Sequence, residues 1–417
     1  MSTPISAPAR ASSDRRPIRA VAGTNLDGAS AHNRRVIFDA LRINGALTRA
    51  ELARATQLTP QTVSNIVESL QADGLITADA PRREGRGQPA RPYRILPEGA
   101  CAIGVQLDRH QMLGVVVDLA GAPLMRRQRQ LPAGGPKKGG AALLKLIAEL
   151  RAFVDARKEA RTSRLLGLGI AMPGPFGNAG ESEDPWGMQD WQDFQLAEWL
   201  TAKTGLTVSV QNDAAAGAIA EKMYGAAAGL ENFVHLFIGY GLGAGLVLRG
   251  EVYAGAANNA GEIGQVVSAA ARSGNPEAIE HYASLLALCR HLAIDPRQAG
   301  LLEHLQALYD ADDKRIRPWI AQAARHLRHA VQTLESLFDP ETIVIGGQMP
   351  PGVLAELVAS LEPLLPSVAH RRDRRRPRLT LGATGLWSAA LGAAMQPISR
   401  TFDPQFGAIL KAGAPQD

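Results

Sequence analysis

"TPQTVSNIVESLQADG", residues Thr59 to Gly74, sets four short hydrogen-bonding side chains on one helix face: Gln61, Thr62, Ser64 and Asn65. Amides and hydroxyls of this size suit base edges and phosphates in a DNA major groove. Val63, Ile66, Val67 and Leu70 recur at i, i+3, i+4 and i+7, which makes the opposite face a buried stripe. Thr59 is the expected N-cap, Pro60 opens the first turn, and Gly74 stops the helix. Immediately beyond, "PRREGRGQPARPYR" carries five arginines, Arg82, Arg83, Arg86, Arg91 and Arg94, against the single acid Glu84. This reads as a two-stranded wing, with Arg86 between glycines free to enter a minor groove. The plainer alternative is a small bundle with a solvated polar face. The short turn before the third helix, the basic charge and the wing weigh for DNA.

Two further helices must position that face. "HNRRVIFDALRIN" gathers Ile37, Ala40 and Leu41 on one side and ends at Gly45. "TRAELARAT" opens with a capping box, Thr48 to Glu51 and back. The charge agrees. Residues 1–100 hold 14 arginines, no lysine and 9 acids, while the remainder holds 31 bases and 31 acids, so the whole net charge of +5 lies in the first quarter. A basic module on a neutral body points to a polyanionic partner for that module.

At 417 residues there is room for two or three domains. No run approaches the roughly eighteen apolar residues of a membrane span. The first thirty residues, biased to Pro, Ser and Ala without an apolar core, read as a disordered basic tail rather than a secretory signal. Cys101 and Cys289 stand far apart and outside any metal-ligand spacing, so a cytoplasmic setting is expected.

From Cys101 onward apolar strands alternate with helices, an α/β pattern. "CAIGVQLDRHQMLGVVVDLAGAPL" reads as a hairpin turning near Asp108 to Gln111, and "FVHLFIGYGLGAGLVLRGEVYAG" repeats the form. Two such openings predict two lobes of similar build around a cleft, divided near Asn212, with the last helix returning to the first lobe.

Four stretches, "GLGIAMPGP" (Gly167 to Pro175), "VQNDAAAGAIAE" (Val210 to Glu221), "GYGLGAGLVLRGEVYAGAANNAGEIG" (Gly239 to Gly264) and "FDPETIVIGG" (Phe338 to Gly347), then converge. Over about Asn33 to Met395 the chain resembles the repressor, open reading frame and kinase (ROK) family. The resemblance implies a two-lobed, actin-like sugar kinase fold, behind a winged helix-turn-helix in the repressors. It implies that Asn212, Asp213, Glu262 and Glu280 hold sugar hydroxyls, with Asp213 as the general base of a kinase. Gln265 falls where the family has a zinc-binding His, and "VVSAAARSGNPEAI" lacks the cysteine cluster, so no metal is expected. Gln265 is left to bond the sugar, and His281 to be an ordinary loop histidine. The phosphate turn Asp-x-Gly-Gly-Thr is replaced by Gln106, Leu107, Asp108, Arg109 and His110, and a Thr facing phosphate by Tyr240. ATP binding and phosphoryl transfer are therefore not expected. "HRRDRRRPR", His370 to Arg378, reads as a solvated loop.

The expectation is a tail over residues 1–30 and a winged helix-turn-helix over 31–98. Two ROK lobes follow over 99–211 and 212–380, then a returning helix and tail over 381–417. In function it is a sugar-responsive transcription regulator, a repressor acting as a homodimer on operator DNA, without cofactor, catalysis or membrane attachment. The rivals are a sugar kinase with a DNA module and a regulator whose sensor binds a protein partner.

Overall fold

Local sequence signals set the N-terminal module. In the computed structural model, which describes residues 26–82, 90–157, 164–176, 188–268 and 277–402, helix α1 spans Leu26–Asn44 and ends at Gly45 with φ +75°. It starts inside the stretch expected to be tail. Strand β1 (Leu47–Thr48) leads into α2 (Arg49–Thr56), whose capping box is formed: Glu51 N–H donates to Thr48 Oγ1 at 3.3 Å and Thr48 N–H to Glu51 Oε2 at 2.7 Å. Helix α3 (Pro60–Ala72) is capped by Thr59 and buries Val63, Val67 and Leu70 completely, while Ile66 is half-buried. Strands β2 (Ile76–Ala78) and β3 (Pro92–Ile95) pair antiparallel and form the wing, with β1 on the other side of β3.

The first lobe holds β4 (Ala100–Leu107), β5 (Gln111–Asp118), β6 (Pro123–Gln130), α4 (Gly135–Ala156), β7 (Arg164–Met172), α5 (Met188–Gln192), α6 (Leu196–Thr204) and β8 (Val208–Asn212). The second begins with α7 (Asp213–Tyr224), β9 (Phe233–Ile238), β10 (Leu242–Leu248), β11 (Glu251–Val252), α8 (Leu285–Leu292) and α9 (Leu301–Asp310). It continues through α10 (Ile316–Phe338), β12 (Thr342–Gly347), α11 (Pro351–Ala359) and β13 (Leu379–Leu381). The sheets run β6-β5-β4-β7-β8 and β11-β10-β9-β12-β13, three antiparallel strands followed by parallel ones in each. The repeated hairpin is thus a repeated sheet.

Helix α12 (Ser388–Phe402) returns to the first lobe and packs against β4, β7 and α7. Contact with α7 is so close that a Cβ on Gly392 would lie 1.8 Å from the Ala216 carbonyl oxygen, so only glycine fits there. Ile37, Phe38 and Leu41 of α1 share one core with Leu113, Val115 and Val117 of β5 and with Leu391, Met395 and Ile398 of α12. Phe38 and Phe402 stack with ring centres 4.1 Å apart. The DNA-reading module and the first lobe are therefore one packed unit, not beads on a linker.

The arginine run before β13 is a mostly exposed loop with two anchored arginines. Arg378 makes a two-pronged ion pair with buried Glu335, Nε–Oε1 2.8 Å and Nη2–Oε2 2.5 Å. Arg374 donates to the carbonyls of Glu341 and Arg376, and Arg371 pairs with Asp339. Most of the run is exposed loop, as read from the sequence, and the half-buried Arg374 and Arg378 pin it to the second lobe.

Candidate functional site

Strand β8 ends at Asn212, whose extended backbone and side chain cap α7: Oδ1 accepts from Ala214 N–H at 2.8 Å and Ala215 N–H at 3.3 Å. That cap leaves the amide nitrogen free to donate across to Glu262 Oε1 at 3.3 Å. Asp213 follows in the first turn, where the helix dipole favours a carboxylate. Glu262 precedes the one-turn helix Ile263–Gln265, and Glu280 lies in the one-turn helix Ile279–His281. Gln265 Nε2 donates to Glu280 Oε1 at 2.7 Å, and Leu242 N–H to Glu280 Oε2 at 3.4 Å. Residues 212, 213, 262, 265 and 280, separated in sequence, thus share one chain of hydrogen bonds and charges at the mouth of α7. Gln265 braces Glu280.

Four carboxylates crowd this corner, since Asp108 of the β4–β5 turn joins Asp213, Glu262 and Glu280. Burial, then the Asp108 charge, push Asp213 up to about 7, against the pull of Arg109. Burial, then Asp213 and Glu280, push Glu262 up to about 7. A polyol that donates hydroxyl protons to these oxygens would replace the water lost on burial. The arrangement can bind hydroxyls, and Asp213 near neutrality can also accept a proton.

Three contributors were not singled out from the sequence. Gly174 sits against the pair, and a Cβ there would lie 2.3 Å from Glu262 Oε1. Asn259 forms a two-way amide bond with the backbone of Phe176, 2.7 and 2.8 Å, tying the second lobe to the first. Both lie inside quoted motifs, "AMPGP" and "AANNAGEIG", where a glycine and a short amide were the available signal. Arg109, read only as a loss of glycine, is the cation beside Asp213.

The β4–β5 turn is filled. Gln106 is buried, and neither amide atom has a hydrogen-bond partner among the described residues. Asp108 accepts from Arg109 N–H at 2.8 Å. His110 Nε2 bonds the Tyr240 hydroxyl, which also donates to the Pro296 carbonyl at 3.1 Å, and the two rings meet edge-on at 4.6 Å. Arg109 lies 5.9 Å from the Tyr240 ring centre. Side chains thus occupy the turn where a phosphate cradle needs bare backbone.

The zinc donor set is unsuitable on its chemistry. Gln265 and Glu280 bond each other, no thiolate lies between Val266 and Ile279, and Cys101 and Cys289 are buried in separate lobes. His281 lies 3.8 Å from Glu277, a loop contact.

On the DNA-reading module, Gln61 and Asn65 are exposed, and Thr62 and Ser64 half-buried. Gln61 Nε2 donates to Asn65 Oδ1 at 2.9 Å, and the Thr62 hydroxyl meets that of Thr59 at 2.8 Å. The two amides are thus aligned on one exposed face of α3. Arg82 starts the wing ladder opposite Ala90, Arg91 is exposed, and Arg94 pairs with Asp79 at 2.9 Å. Arg83 and Arg86 lie outside the described residues. Gln61→Ala or Asn65→Ala should cost about 1–3 kcal/mol at a few operator positions while leaving binding to random DNA nearly unchanged. Competition shifts against single-base operator variants would measure this, and a uniform loss on every sequence would contradict it.

Residues 102–397 match the ROK family, and residues 36–87 match the MarR family. The DNA-binding transcriptional dual regulator NagC of Escherichia coli strain K12 is 25% identical over 345 residues, 78% of this chain and 82% of NagC. A solved ROK family transcriptional regulator, a homologue of the E. coli MLC protein, superposes with a TM-score of 0.68 at 24% identity, over 92% of this chain and 99% of that one. A ROK hexokinase from Thermus thermophilus gives 0.51 at 28% identity, over 71% of this chain and 97% of the enzyme.

Proposed function

Because the chain belongs to the ROK family and carries a winged helix-turn-helix ahead of the ROK body, we propose that it represses carbohydrate-related genes under control of a sugar. The winged helix binds operator DNA. The two-lobed body binds a sugar or sugar derivative through Asn212, Asp213, Glu262 and Glu280, with Gln265 bracing the last. Two copies act together in the cytoplasm, as two half-sites require. Among the described residues no helix is long and apolar enough to cross a membrane.

One observation carries this reading. Helix α7 has Asn212 and Asp213 at its start, and at its far end Met223 Sδ accepts from Arg42 Nη1 of α1 at 3.2 Å. Twelve residues make a rod of about 18 Å. A sugar that shifts the start of α7 therefore acts directly on the helix supporting the DNA reader. It can do so only by its differential affinity for the two arrangements.

Sugar kinase activity is the second reading, favoured by Asp213, which sits near neutrality beside a cation. The filled phosphate turn, with Gln106, Asp108, Arg109 and Tyr240, opposes it, and the residues present fit neither nucleotide nor metal. Screening sugars by thermal shift should yield one that raises the melting temperature, since ligands that bind only the native state do so. That sugar should change operator affinity in the parent, and Glu280→Gln should lose the change while keeping ligand-free operator binding. Sugar-dependent release of ADP that Asp213→Asn abolishes would establish the kinase instead.

A further inference from the structure

The second lobe has a depression of about 290 Å³ whose lining includes His281, Tyr282, Arg290, His291, Trp319 and Gln322. None of the cleft carboxylates lines it. Its ionisable walls are all basic or phenolic. Arg290 is exposed and has no carboxylate partner among the described residues. His291 Nε2 lies 3.0 Å from the Arg315 carbonyl, an acceptor, so Nε2 carries a proton. In the floor, Trp319 is 2% exposed, yet its indole N–H has no acceptor among the described residues. A buried indole N–H normally finds a partner.

A guanidinium with no carboxylate partner among the described residues, an amide and a buried indole N–H without an acceptor line one concavity that has no acid in its lining, while His291 is held by the Arg315 carbonyl and His281 lies beside Glu277. We propose that this depression binds a small oxyanion, a carboxylate or phosphate group, with Arg290 as its principal contact. The volume lies at the lower end for organic-ligand pockets and suits a metabolite-sized anion.

The site lies next to the effector cleft in sequence and in space. His281 in its wall directly follows Glu280 in the same one-turn helix. Tyr282 stacks flat on His326 at 3.8 Å, and His326 Nδ1 bonds the Ser268 hydroxyl at 2.5 Å, at the base of the segment that holds Gln265 and Glu280. An anion that fixes His281 and Tyr282 therefore fixes the turn presenting Glu280. If the sugar reading above holds, the anion and the sugar change each other's affinity by the same factor.

Titration calorimetry on the full chain, with inorganic phosphate, glucose 6-phosphate and citrate in separate arms, tests the site. At least one probe should bind at millimolar concentration or below, and Arg290→Ala should weaken it at least tenfold. Tightest binding by phosphate marks a free oxyanion, and tightest binding by either organic probe marks a metabolite. Arg372→Ala, an exposed arginine outside the lining, should leave that affinity unchanged, and because Arg290 lines the depression and not the carboxylate cleft, failure of the sugar reading would not affect this result. Equal affinity in Arg290→Ala and parent, an equal loss in Arg372→Ala, or no probe binding below about 10 mM would each overturn the proposal.

Discussion

Glu262→Gln is expected to stabilise the ligand-free protein at pH 8, do much less at pH 5, and abolish the sugar's effect on operator binding. Burial beside Asp213 and Glu280 raises the Glu262 carboxyl from 4.5 to about 7. A carboxyl whose pKa is raised on folding contributes stability that is complete below the unfolded value and lost as pH climbs through the folded one. The native protein should therefore lose stability between about pH 4.5 and pH 7. That loss has a ceiling near 3 kcal/mol from this group, and water at the cleft mouth lowers it to about 1–2. A neutral amide escapes the loss and relieves Asp213 as well. The gain at pH 8 should be about 1–2 °C in melting temperature.

Function moves the other way. A carboxylate accepts two hydroxyl protons with charge assistance, and a glutamine offers one acceptor and a donor facing the Asn212 amide. Removing a charged hydrogen bond costs about 1.5–3 kcal/mol, a ten- to hundredfold loss of sugar affinity. Calorimetric scans of both proteins from pH 5 to pH 8, with operator shifts at pH 7.5, provide the measurement. A parent whose melting temperature ignores pH, or a variant that still answers the sugar, would show that the carboxylate cluster is not strained in the way described.

What could be read from the chain divides by distance along it. The Thr48–Glu51 box, the Thr59 cap and the Val63, Val67, Leu70 stripe are local, so residue order alone exposes them. The paired hairpins were legible for the same reason, because strand, turn and strand are contiguous. Asn212, Asp213, Glu262 and Glu280 were named only through likeness to a family, since nothing local distinguishes them from solvated acids and caps. Contacts made across the fold left no local sign. Arg42 meets Met223 from 181 positions away. Asn259 reaches Phe176 across 83, and Gly174 stands clear of a carboxylate 88 residues later in the chain. Gln265, expected to face a sugar, is engaged by Glu280, a bond that depends on how the intervening segment folds back.

The arginine run shows the same limit at its largest energetic consequence, and Arg378→Met should be the most destabilising change among those considered. Charge density before β13 reads as solvent-facing, and for Arg372, exposed and without a partner among the described residues, substitution by Ala should stay within about 0.5 kcal/mol. Arg378 differs because α10 buries Glu335 fully beneath it. The guanidinium neutralises that carboxylate through two bonds and also donates to the Leu365 carbonyl at 2.7 Å and the Ser367 hydroxyl at 3.1 Å. Methionine fills a similar space but leaves Glu335 with only the Ser367 hydroxyl, at 2.5 Å. An uncompensated buried charge of this kind costs about 3–5 kcal/mol. Replacing both partners, Glu335→Leu with Arg378→Met, should recover most of it, because the pair's mutual attraction largely repays only its own desolvation. Urea unfolding of the two single variants and the double variant distinguishes the cases. A loss under 1 kcal/mol for Arg378→Met, or a double variant no better than the single, would mean that the strap before β13 is held by Arg374 and its carbonyls rather than by the buried pair.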